Sequence, residues 1–132
     1  MNHEVFLILV PRFDGDLWTL SRTAHVWIVN SAENEVAARA VRERETEGYS
    51  PLHGVTVFND ADEVNDAFYS AISMIESHHS VYAAPRPWDT IHVVGLSRKM
   101  VRAEWIAERL GVESVVLAKE PQGFSIRRTA QQ

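Results

Sequence analysis

HVWIVNSAENEVAARAVRERE, residues 25–45, changes its period in the middle. Residues 25–30 are a short apolar run rich in β-branched side chains, the composition of a buried strand. The remainder sets Val36, Ala37, Ala40 and Val41 on one helix face, with Arg39, Arg42, Glu43 and Glu45 opposite. Ser31 stands at the junction as an N-cap. Glu33 and Glu35 follow in the first turn, where the helix dipole favours negative charge. Gly48 and the Tyr-Ser-Pro after it stop the helix. A strand running directly into a capped helix is the repeating unit of an α/β protein.

The same unit recurs in both directions along the chain. Upstream, residues 5–10 of EVFLILV form a continuous apolar run closed by Pro11, which reads as a strand covered on both faces. The run is too short to span a bilayer and lacks the basic flank of a signal peptide. PRFDGD is a loop, and Asp16 is expected to cap a short helix that lays Leu17 and Trp18 on the core edge. Downstream, GVTVFN (54–59) is a strand. Asp60 is expected to cap the next helix, in a capping box with Glu63, before the stripe Val64, Phe68, Ala71, Ile72, Ile75. TIHVVGL (90–96) is a fourth strand. Ser97 is expected to cap a helix with Met100, Val101, Ala103, Ile106, Ala107 and Leu110 inward and Gly111 at its end. VESVVLAK and FSIRR, joined by the turn EPQG, close the chain as a hairpin.

These elements predict an α/β fold: a mixed, mostly parallel sheet of about six strands, with helices on both faces and a C-terminal β-hairpin. A length of 132 residues fits a single domain over 1–132, with 129–132 frayed. The absence of cysteine excludes disulfides, thiolate nucleophiles and Cys-type zinc sites, and fits a cytoplasmic protein. Eighteen acidic residues against 13 basic ones give a net charge of −5. That balance argues against non-specific nucleic-acid binding and is compatible with a basic protein partner. No membrane association is expected, and the chain is expected to be a monomer or a homodimer.

No glycine pattern for a dinucleotide, no phosphate-binding P-loop and no nucleophile elbow occurs. No cofactor, metal or catalytic residue is expected. In open α/β sheets ligands bind at the carboxyl ends of the strands. Those ends nominate Asn30, Ser31, Asn59, Asp60 and Ser97 as a small-ligand or anion site, with Lys119 and Glu120 at the end of the fifth strand. The same residue types serve as ordinary helix caps.

The succession VWIVNSAEN and GVTVFNDADE resembles, in architecture, a response-regulator receiver domain over about half the chain. The resemblance implies a magnesium site and a phosphorylated aspartate at strand ends. Asn30 and Ser31 stand where an acidic pair would hold the metal, and they cannot supply its charge. Lys119 could match the late-strand lysine. The implied relative is degenerate and not phosphorylated.

Glu76, His78 and His79 fall at the end of the third helix, where histidines complement the helix dipole. Adjacent histidines do not face one metal. His92 lies inside a strand and is expected to be buried, neutral and hydrogen-bonded. Between them, the stiff loop YAAPRPWD presents Tyr82, Arg86, Trp88 and Asp89 as a candidate protein-binding surface, because Trp, Tyr and Arg dominate interface hot spots. It sits at the opposite edge of the sheet from the strand-end site. The charged face 39–49 reads as a solvated helix surface. The expected function is non-catalytic protein binding by an inhibitor such as a toxin-immunity protein or antitoxin. The alternative is ligand binding at the strand ends by a degenerate receiver-like domain or an enzyme.

Overall fold

The computed structural model describes residues 4–46, 54–82 and 88–129, with side chains for 4–44, 54–77 and 88–129. The elements follow in the order β1 (Glu4–Ile8), α1 (Leu17–Thr23), β2 (His25–Val29), α2 (Ala32–Thr46), β3 (Val55–Phe58), α3 (Val64–Tyr82) and β4 (Thr90–Val94). A 3-10 turn (Arg98–Met100), α4 (Ala103–Leu110), β5 (Val115–Glu120) and β6 (Gly123–Arg128) complete the elements among the described residues. All six strands join one sheet in the order β3-β2-β1-β4-β6-β5. The first four run parallel; β6 is antiparallel to β4 and to β5. The expected mixed α/β fold with a closing hairpin is the one observed.

The sheet order reverses between β1 and β4. β2 and β3 are laid successively to one side of β1, and α3 then carries the chain back to the other side. That order, 3-2-1-4, is the first half of a doubly wound nucleotide-binding sheet and not the 2-1-3-4-5 order of receivers. The likeness to a receiver therefore stops at the alternation of strand and helix.

Strand alternation splits the core in two. Val5, Leu7, Trp27, Ile91, Val93, Phe124 and Ile126 face α3 and α4, which return Phe68, Ile72, Ile75, Ile106 and Leu110. Ile8, Val26 and Ile28 face the other way, against Leu17 of α1 and Val41 of α2. Burying each such large aliphatic side chain contributes about 1.5–3 kcal/mol. Among the described residues, no helix is long and apolar enough to cross a membrane.

Three caps decide the local geometry. Asp16 behaves as expected: its carboxylate accepts from the Thr19 amide (3.1 Å) and hydroxyl (2.8 Å), which hold its pKa below the ordinary value. Asp60 does not cap α3. Its carboxylate accepts from the Ala61 amide, one residue on, and the helix starts at Val64 with the Glu63 carbonyl accepting from Ala67. Ser97 caps only the 3-10 turn, accepting from Lys99. Val101 and Arg102 then take extended backbone, so α4 starts at Ala103. Met100, expected inward, is 57% exposed, while Val101 fills the core position. Gly111 ends α4 in the left-handed conformation (φ 68°), as its sequence position predicted.

Candidate functional site

The strand-end residues are mostly engaged in holding the fold. Ser31 donates its hydroxyl to the Pro11 carbonyl and accepts from the Asn34 amide. Asn34 is buried and satisfied on every side. Its amide nitrogen donates to the Val10 and Val29 carbonyls (both 2.9 Å), and its oxygen accepts from the Phe13 amide. One asparagine thereby ties the loop after β1 to the end of β2, and its own side chain is fully used in doing so. Asn30, Asn59 and Asp60 are exposed. Asn59 lines an open groove of about 240 Å³ with Thr56, Ser70 and Met74. Ser97 lines a different one of about 500 Å³, with Arg98, Lys99, Lys119 and Glu120. The five candidates are thus not gathered into one pocket.

The proline-rich loop is placed only in part. Tyr82 ends α3, and of Tyr82, His78 and His79 only the backbone is described; Arg86 lies outside the described residues. Asp89 is half-buried. Trp88 is 0% exposed. Its indole is part of the α3–α4 core and carries the Arg128 guanidinium 4.4 Å from the ring centroid. The anchor expected at the surface is inside, packed in that core.

Glu76 of α3 is caught between opposed effects. Burial pushes its carboxyl above the ordinary value, and Arg128 pulls it partly back. The folded chain therefore holds this proton more tightly than the unfolded chain. The penalty for ionising it is absent below the ordinary value of 4.5 and grows as pH rises through the raised one. Relative to wild type, Glu76→Gln should gain stability on going from about pH 4 to about pH 7. Urea midpoints at the two pH values check this; a difference that shrinks with pH would contradict it.

His92 is hydrogen-bonded, as expected, but half-buried rather than buried. It lies on the sheet face opposite α3 and α4, stacked on Phe6 (4.7 Å). Nε2 sits 2.6 Å from the Glu4 carboxylate, and Nδ1 about 3.0 Å from that of Glu120. Both ring nitrogens thus face carboxylate oxygens. The reach from β5 across β6 is possible because β6 presents only Gly123 and Ser125 between Glu120 and His92. Among the described residues, no three His, Asp or Glu are placed to hold a metal ion.

An aromatic surface on α3 and α4 was missed by sequence reasoning. Trp105 is 46% exposed, and its ring lies 5.9 Å from that of Tyr69. The Arg102 guanidinium stands 5.2 Å from the Trp105 ring, and that of Arg109 4.6 Å from the Tyr69 ring. Hydrogen bonds fix the frame. The Arg102 amide donates to the Tyr69 hydroxyl (3.1 Å), and Arg109 donates to the Trp105 carbonyl (3.3 Å). Asn65 donates to the carbonyl of the exposed Met100 (2.7 Å). One signal could have found it. In the helix whose inward residues are Ile106, Ala107 and Leu110, Trp105 has no place on the apolar stripe.

No protein-family model and no curated protein matches this chain.

Proposed function

We propose that this chain is a non-catalytic protein-binding domain that acts by occluding its partner, as an inhibitor of the immunity-protein or antitoxin kind does. The observation that supports this is the exposed Trp105, held in place by Tyr69, Arg102 and Arg109. An aromatic side chain already fixed by its neighbours loses little entropy on docking, and Trp, Tyr and Arg are the types that carry most interface energy. The guanidiniums of Arg102, over the indole, and of Arg109, over the Tyr69 ring, favour a partner with an apolar pocket rimmed by carboxylates. Local charge at the contact, and not the net charge of the chain, sets that preference.

The test is capture of a partner from cells of the source organism, followed by titration of the purified pair. Trp105→Ala should weaken the affinity by about 30-fold, or about 2 kcal/mol. Val36→Ala, at an exposed position on α2, should leave it unchanged. Equal affinities for wild type and Trp105→Ala would refute the assignment.

A further inference from the structure

We propose a second site, in a different place and of a different class: the groove between the 3-10 turn and the β5–β6 hairpin binds a small phosphorylated ligand. The groove measures about 500 Å³, within the range of small-ligand sites. It opens at the carboxyl end of β4, on the side of β6, and open α/β sheets bind ligands at the carboxyl ends of their strands.

Its charge is what identifies the ligand. In a chain of net charge −5, three cations line this one groove: Arg98, Lys99 and Lys119. Among the described residues none of them has a carboxylate partner. Arg98 is anchored by one nitrogen to the Leu117 carbonyl (3.3 Å), which leaves its other donors for a ligand. Ser97 accepts from the Lys99 amide and keeps its hydroxyl proton to donate. The one carboxylate among the lining residues, Glu120, is turned to the other side of the sheet, where both its oxygens lie about 3 Å from His92 Nδ1. His92 therefore acts as a positioning residue that keeps the negative charge away from the cations. An anion with several acceptor oxygens, such as a phosphate ester or diphosphate, matches this set of donors. Nucleic acid fits less well, because the rest of the chain repels a long polyanion.

Titration calorimetry with inorganic pyrophosphate at fixed ionic strength tests the site. Wild type should bind saturably. Lys99→Gln with Lys119→Gln should weaken binding at least about tenfold, and Arg39→Gln with Arg42→Gln, on α2, should not. His92→Leu should also weaken binding, and adding Glu120→Gln to it should restore affinity, which a merely structural role for His92 does not predict. The absence of saturable binding, equal losses in both double variants, or failure of Glu120→Gln to rescue would overturn the proposal. Binding to vesicles containing phosphatidic acid without binding of pyrophosphate would overturn the assignment to a small soluble ligand.

Discussion

Trp88→Ala should lower stability by about 4 kcal/mol, the range measured for truncating large buried aromatics. The indole is fully buried in the core between the sheet and α3–α4. Its removal leaves a cavity and also strips the Arg128 guanidinium of the ring it lies against. The Nε of Arg128 is already buried without a hydrogen-bond partner, so little remains there to compensate. Trp88→Phe, which keeps an aromatic ring, should lose about half as much. Urea denaturation reads both. A loss under about 1 kcal/mol for Trp88→Ala would place the indole outside the core.

Gly123→Ala should cost about 3 kcal/mol or more, for a different physical reason. A Cβ built at Gly123 lies 1.9 Å from the Val93 carbonyl oxygen and 2.9 Å from its carbon. These are backbone atoms of the neighbouring strand, so no side chain can swing aside. Relief requires β6 to move away from β4, and β6 also carries β5. The substitution should therefore loosen the whole hairpin. Hydrogen exchange should show lost protection in β5 and β6 before it does in β1 and β2. Wild-type stability with unaltered exchange in the hairpin would contradict this.

The alternation of strands and helices was legible because each element carries its own period: the apolar runs at 5–10 and 25–30, the stripe from Val64 to Ile75, and the turn at 120–123. The strand order was not, since nothing local to β3 or β4 records on which side of β1 each will lie. The site residues failed for the same reason. Trp88 between a proline loop and a strand has the local look of a presented anchor, and only tertiary packing puts it inside. His92 sits in a strand that reads as buried on both faces. Because α3 and α4 share one face of the sheet, its ring ends up on the other, beside Glu4 and Glu120. Ser31 was correctly placed as a cap, but Asn34, which does more to close the carboxyl edge, looked like one polar residue in a helix.

The location of the partner surface is the central claim, and site-specific photocrosslinking tests it most directly. A photoreactive phenylalanine derivative would replace Trp105 in one variant and Val36, at 67% exposed on α2, in another. Crosslinking in cells of the source organism should give a discrete adduct with one protein from position 105 and none from position 36. An adduct from position 36 alone, or the same products from both, would contradict the assignment of the α3–α4 surface as the binding face.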